Sequence, residues 1–282
     1  MKNRWLPVRE GSGFSYSAVT DARIAAARPM TLARRTYGVH AFAMDELPRN
    51  ELGKARDIFL QVFDGAPVRE LEPGEALITA GSPADQVFNV LSGMLMLSRT
   101  GGDGRRQVLS FLFRDNFVGI TASDHYFFNA EAVTPTRVAC CPRSTLMDRL
   151  ATDPAADRAF MNMTFRVLED TLDVVYSLGQ RTAQERLAVF ILYLRHWNRL
   201  TGSLADDHPT LDHIELPMSR EDIADFLGLK KETVSRSFSQ LENKGLIRRE
   251  SSHRIHIAAL SELRQIAGIT DFASPRRLNI GI

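Results

Sequence analysis

Cysteine is nearly absent: Cys140 and Cys141 stand side by side and are the only two in 282 residues, which rules out an ordinary disulfide framework. Charge of one sign is also missing. Thirty-five Lys and Arg against 34 Asp and Glu leave a formal charge of +1, so the chain is no polycation, although a local basic patch would still suffice to meet nucleic acid. No apolar run approaches the roughly 18 residues that a membrane helix needs, and no membrane contact is expected. The opening residues, MKNRWLPVREGSGF, lack an apolar core of signal-peptide type, and a cytoplasmic location is the simplest expectation. No G-x-S-x-G, H-E-x-x-H or Walker-type loop occurs, so neither catalytic residues nor a metal site are expected, and an enzyme is not. What is present is an ordinary globular composition, 44% hydrophobic and 24% charged, over a length that suits two domains.

Residues 1–44 differ from the rest. Lys2, Arg4, Arg9, Arg23, Arg28, Arg34 and Arg35 face only Glu10 and Asp21, and no hydrophobic period is sustained. The segment reads as a flexible basic arm. A dispensable tail, or sequence upstream of a true start at Met30 or Met44, is the favoured account of it, and contact with DNA or a membrane surface is the lesser alternative.

From about residue 66 to 147 short apolar runs alternate with turn signals. Ala76–Thr79, Val87–Leu91, Met94–Ser98 and Val108–Phe113 are separated by Pro73-Gly74, Gly81-Ser82-Pro83, Ser92-Gly93 and the cluster Gly101–Gly104. That punctuation predicts an all-β barrel or roll. The Gly101–Gly104 cluster predicts a hairpin tip, because no helix with Lys-Ser/Thr follows it. A long helix is predicted over 153–180. Met161, Phe165, Leu168, Leu172, Val175 and Leu178 recur at spacings of three and four, and Phe160, Met163, Val167 and Val174 form a second stripe. Two apolar stripes call for two partners, one the β domain and the other a symmetry mate, so the first stripe is the expected dimer interface. Burial of both stripes within one chain is the alternative. Thr182 and Glu185 then form a capping-box pattern at the start of the next helix, and Ser203–His213 reads as a polar loop.

The most informative stretch is Leu216–Ile257. Ser219 suits an N-cap for a short helix carrying Ile223, Ala224 and Leu227; Gly228 supplies a positive φ at a tight turn, and Leu229 fills the core behind it. Lys230–Asn243 is predicted as a second helix with Val234, Phe238 and Leu241 inward, followed by Gly245 and a two-stranded wing over Ile247–Ile257. This is a helix-turn-helix layout. Glu232, Ser235 and Arg236 lie on the outward arc near the second helix's N-terminus, where recognition helices reach base edges. Arg236 can fork to guanine O6 and N7, Glu232 can accept from cytosine N4, and Ser235 can meet a base or a thymine methyl. Ser219, Lys230, Lys231, Thr233, Ser239, Lys244 and Arg248, with Arg249, are the expected phosphate or flanking contacts. A merely solvated charged face is the plain alternative for such an arc.

The run MSREDIADFLGLKKETVSRSFSQLENKGLIRR, Met218 to Arg249, resembles the DNA-binding motif of the CRP/FNR regulators. Gln180–Leu192 resembles the start of that family's DNA domain, and Pro73–Glu75 and Phe117–Gly119 resemble turns of its cyclic-nucleotide-binding-like roll. The likeness covers about residues 50 to 265. Glu232, Ser235 and Arg236 reproduce the E-x-x-S-R signature of the family's FNR and FixK side, which implies a TTGAT-N4-ATCAA palindrome; Lys231 departs from the apolar residue usual there. Cyclic-AMP-responsive members carry a Glu after the roll's glycine and an Arg-Ser pair further on, whereas Ile120 and Phe128-Asn129 stand here, so cyclic AMP is disfavoured. No cysteine precedes Cys140, which disfavours the family's iron–sulfur cluster. The Gly119–His125 and Phe128–Ala132 segments are most similar to FixK-type members, which often act without a cofactor. No cofactor is therefore expected. Haem at His125 and redox switching at Cys140 and Cys141 remain open alternatives.

Together these readings predict an α+β chain. A flexible arm (1–44) precedes a cyclic-nucleotide-binding-like β-roll (45–152), a long dimerisation helix (153–180), a winged helix-turn-helix domain (181–272) and a tail (273–282). The expected partners are double-stranded DNA, a second copy of the chain and RNA polymerase, in microaerobic, nitrogen-oxide or respiratory gene control. The competing functions are an effector-gated member of the family and a ligand-binding signalling module that no longer reads DNA.

Overall fold

A computed structural model describes residues 58–202 and 212–269. The basic arm, the tail and most of the polar loop predicted after the second long helix lie outside these residues.

Eight strands form the roll as two four-stranded antiparallel sheets. One has the order β1 (Val68–Leu71), β8 (Thr136–Pro142), β3 (Gln86–Ser92), β6 (Phe117–Val118); the other runs β2 (Ala76–Ile78), β7 (Asn129–Ala132), β4 (Leu95–Thr100), β5 (Arg106–Leu112). The four runs picked out in the sequence fall on β2 to β5. The β4–β5 hairpin turns through Gly101–Gly104, with Gly104 at φ 79°. One residue of β5, Leu109, is an extra in the ladder: Leu97 pairs with Ser110 and Ser98 with Val108. A bulge of this kind bends and twists its strand.

The runs are apolar without alternation because their strands are covered on both faces, Val87 of β3, for example, facing the opposite way from Phe88 and Val90. Leu95, Leu97 and Leu112 point into the roll beside Phe88, Val90, Tyr126 and Phe128. Met94, Met96, Val108, Phe111 and Phe113 point the other way, into a core shared with the helices of the C-terminal part. Gly119, in the Phe-Val-Gly turn, has φ 111°, and a Cβ there would stand 2.6 Å from the Gln86 carbonyl oxygen, so only glycine fits.

The expectation of an all-β segment to residue 147 needs correction. α1 spans Arg143–Thr152 and buries Leu146 against Phe59, Phe63, Val87 and Cys141. Its sole buried side chain is Leu146, which leaves no amphipathic period to read in the sequence. α2 spans Pro154–Gln180, begun by Pro154 at its first turn and by Asp153, whose Oδ1 accepts from the amides of Ala155 (2.9 Å) and Ala156 (3.3 Å). Its second stripe is half-buried as expected: Phe160 stacks on Phe59 with ring centroids 5.7 Å apart, and Val174 packs against the shared core.

α3 (Ala183–Gly202) starts with the predicted capping box: Thr182 N donates to Glu185 Oε2 (2.8 Å), and Glu185 N donates to Thr182 Oγ1 (3.4 Å). Residues 187–195 of α3 are buried throughout, because the roll packs on one side and the helix-turn-helix on the other. The Tyr193 hydroxyl donates to the Phe111 carbonyl at 2.9 Å, and Trp197 stacks on Phe113 at 4.8 Å. Arg186 ties three helix ends together. Its guanidinium donates to the carbonyls of Leu178 (2.7 Å) and Arg181 (2.9 Å) at the end of α2, and of Leu227 (2.9 Å) at the end of the next helix.

Candidate nucleic-acid interface

The motif is assembled from α4 (Arg220–Leu227), a turn at Gly228 and α5 (Lys231–Asn243). Ser219 and Asp222 cap α4 reciprocally. The Ser219 hydroxyl accepts from the Asp222 amide at 3.0 Å, and the Asp222 carboxylate accepts from the Ser219 amide at 3.0 Å. Ile223, Ala224, Phe226 and Leu227 bury the inner face. Gly228 sits at φ 61°, the left-handed conformation the turn demands, and Leu229 packs half-buried behind it. On α5 the inward residues are Val234, Ser237, Phe238 and Leu241, which leaves an outward face at helical spacing.

On that face Glu232, Ser235 and Arg236 are all exposed. Arg236 makes one long contact, Nη2 to Thr233 Oγ1 at 3.4 Å, so its fork is available to a ligand. Lys230 and Lys231 are exposed beside them at the start of α5. No side chain caps that N-terminus, whose amides carry the positive end of the helix dipole. Ser235, Arg236 and Ser239 line a shallow groove with Gln240 and Asn243, two residues the sequence reading passed over. Other expected contacts are partly engaged. Lys244 Nζ donates to Gln184 Oε1 at 2.9 Å, Arg248 lies 3.5 Å from Glu250, and Arg249 is held by Glu242. The bonds from Arg249 keep the Glu242 carboxyl below its ordinary pKa.

The wing differs from the two-stranded expectation. β10 (Ile247–Arg249) and β11 (Arg254–Ile257) are joined by β9 (His213–Glu215), in the order β10-β11-β9. His213, read as the end of a polar loop, thus begins a strand; with Ile214 as the only buried residue of β9, the run is too short to show alternation. Between α4, α5 and the wing lies an open cleft lined by Ser219, Lys231, Arg249, Ser251 and a residue that the sequence reading missed, Arg220. The Arg220 guanidinium lies 3.8 Å from the Phe238 ring centroid; burial and the nearby Arg249 lower its pKa. Its neighbour Ser219 is the motif's N-cap, and that adjacency was the available signal.

The expected dimer residues divide. Met161, Phe165, Leu168, Leu172 and Val175 form an exposed apolar stripe on α2, extended by Tyr176. Leu178 is half-buried, with its Cδ2 3.2 Å from where a Cβ on Gly228 would lie, so it faces the helix-turn-helix.

The profile of the Crp-like helix-turn-helix domain matches residues 185–266, and that of the cyclic nucleotide-binding domain matches residues 68–153. The nitrogen fixation regulation protein FixK of Azorhizobium caulinodans is 38% identical over 183 residues, covering 65% of this chain and 72% of the relative. The chain belongs to the CRP/FNR family. This CRP/FNR regulator is also 33% identical to the transcriptional activator protein anr of Pseudomonas aeruginosa, over 71% of its own length and 80% of that protein's. Among solved structures, FixK2 from Bradyrhizobium japonicum superposes with a TM-score of 0.64 at 31% identity, over 71% of this chain and 96% of that one. These relatives are transcription regulators, and the helix-turn-helix domain marks this CRP/FNR protein as a DNA-binding one. Among the described residues no helix is long and apolar enough to cross a membrane.

The two positions at which cyclic-AMP-responsive members carry an Arg-Ser pair are Phe128 and Asn129 here, so neither offers a cation to a phosphodiester. Phe128 belongs to the apolar cluster inside the roll, with Phe88, Leu97 and Tyr126. Phe128 is buried, and the Asn129 side-chain oxygen is engaged by the Ala80 amide at 2.8 Å. Tyr126 is fixed by its hydroxyl, which donates to the Gln86 carbonyl at 2.6 Å; burial raises its pKa. His125 is exposed on the surface. Burial also pushes both thiols up, Cys140 despite the opposing effect of Arg69.

Proposed function

We propose that the protein is a homodimeric transcription activator that reads a TTGAT-N4-ATCAA-like palindrome, with one α5 in the major groove of each half-site. Glu232, Ser235 and Arg236 read bases. Ser219, Lys230, Lys231, Thr233, Ser239, Lys244 and Arg248 meet phosphates or flanking positions. Met161, Phe165, Leu168, Leu172 and Val175 form the seam between protomers, and RNA polymerase is the downstream partner. Microaerobic, nitrogen-oxide or respiratory control in the cytoplasm is the setting that suits its FixK relatives. One observation carries the reading: the carboxylate, hydroxyl and guanidinium of the E-x-x-S-R signature are exposed together beside the uncapped N-terminus of α5. Phe128 and Asn129 in place of an Arg-Ser pair support action without cyclic AMP.

Gel shifts on the palindrome and on scrambled DNA test this. Arg236→Ala is expected to cost about 1–3 kcal/mol on the specific site and little on random sequence. Lys230→Ala should weaken both alike and reduce the salt slope by about 1. Equal losses on both DNAs for Arg236→Ala would remove the base-reading role.

A further inference from the structure

The apolar seam between the roll and the helix-turn-helix, where Phe111 meets Phe226 at 5.4 Å, does not by itself define an angle, because apolar contact has no direction. A polar fork crosses the same seam. Arg106, the first residue of β5, donates from Nε to Asp225 Oδ2 (2.7 Å) and from Nη2 to Asp222 Oδ1 (2.5 Å). The next residue, Gln107, donates from its amide to the carbonyls of Asp225 and of Phe226, the latter at 3.4 Å. Those carbonyls belong to the last turn of α4, where a helix has no N–H donors of its own to offer them. Two adjacent residues of one strand therefore hold α4 by its side and by its end, across 116 residues of chain or more. The bulge at Leu109 lies in the same strand. Asp222 is also the capping residue of Ser219, so the fork acts on the start of the motif too. The partners are half-buried; burial lowers the Arg106 pKa, and its bonds to both carboxylates outweigh that and raise it.

We propose that Arg106 is a positioning residue that fixes the tilt of the helix-turn-helix against the roll, and thereby the operator spacing that the dimer accepts. The proposal rests on the function proposed above. Each base pair added between half-sites moves the second by about 3.4 Å and turns it by about 34°. A pair of rigidly held motifs rejects that displacement, and a loosened pair follows it.

The test measures affinity for duplexes whose TTGAT half-sites are separated by three to six base pairs, beside a scrambled duplex and a duplex with one half-site guanine replaced. Arg106→Gln is expected to bind the four-base spacer about tenfold more weakly, a coupling of ordinary size. Its spacer profile should flatten while the penalty for the replaced guanine stays at the wild-type value. Asp225→Asn, which spares the capping box, should give the same profile and serves if Arg106→Gln fails to fold. Arg106→Lys should restore only part, since one ammonium cannot fork to both carboxylates. A wild-type spacer profile with affinity unchanged within about twofold in both Arg106→Gln and Asp225→Asn would overturn the proposal. So would a loss that includes the guanine penalty, because that marks general damage to the motif. Wild-type protein that binds the palindrome no better than scrambled DNA would instead overturn the function on which the proposal rests, and the proposal with it.

Discussion

Replacing Leu168 with alanine probes the α2 seam where its energetics can be worked out. In the single chain Leu168 keeps 54% of its surface exposed, in a row with Phe165 at 55% and Leu172 at 59%. Complete burial of a leucine is worth about 1.5–3 kcal/mol, so roughly half, about 0.8–1.6 kcal/mol, is still to be gained at an interface. A two-fold seam uses the residue twice, which brings the loss in the variant to about 1.6–3.2 kcal/mol per dimer. At 1.4 kcal/mol per factor of ten, the dimer dissociation constant should rise about 15- to 200-fold. Sedimentation equilibrium over a wide concentration range measures this directly, and circular dichroism at high concentration checks that the protomer is intact. Leu168→Glu should go further, because it would place an unpaired charge in the seam. A dissociation constant within about threefold of wild type for Leu168→Ala would refute the seam, since an apolar truncation at a buried site costs more than that.

Three further outcomes are expected. Gly228→Ala should destabilise the protein by about 1 kcal/mol or more in thermal melts, because φ 61° disfavours a Cβ that would also press on Leu178 at 3.2 Å. Burial raises the Asp222 pKa, but the bonds from Ser219 and Arg106 outweigh it and set the folded value below the unfolded one. Its stabilising share is therefore complete above about pH 4 and is lost as pH falls through the folded value, so acid melts should show a smaller pH dependence for Asp222→Asn than for wild type. Native protein at neutral pH should be alkylated by iodoacetamide far more slowly than free cysteine, because burial raises both thiol pKa values; rapid labelling of Cys141 would contradict its 2% exposure.

The C-terminal motif was legible in the sequence because each of its parts has a local cause. Ser219 caps through its own amide neighbours, Gly228 is required by one backbone angle, and Val234, Phe238 and Leu241 obey the helical period. The β-roll was legible in its turns more than in its strands. Met94 to Leu97 alternate between two different cores, so the run looks uniformly apolar and hides which side chain goes where. β9 and α1 escaped notice for a different reason: their buried positions, Ile214 and Leu146, are single residues whose partners lie far along the chain. Arg106, Gln107 and Arg220 were silent for the same cause. A cation in a polar stretch carries no mark of the carboxylate or ring it will meet more than a hundred residues away, or across a motif.

The threefold grip of Arg186 has a mechanical consequence. A swivel between two parts of a chain absorbs motion on one side without passing it to the other. Here the end of α2, the start of α3 and the end of α4 hang from one planar cation. Because all three bonds leave from one planar group, rotation of the C-terminal end of α2 is handed on to the C-terminal end of α4 instead of being absorbed between them.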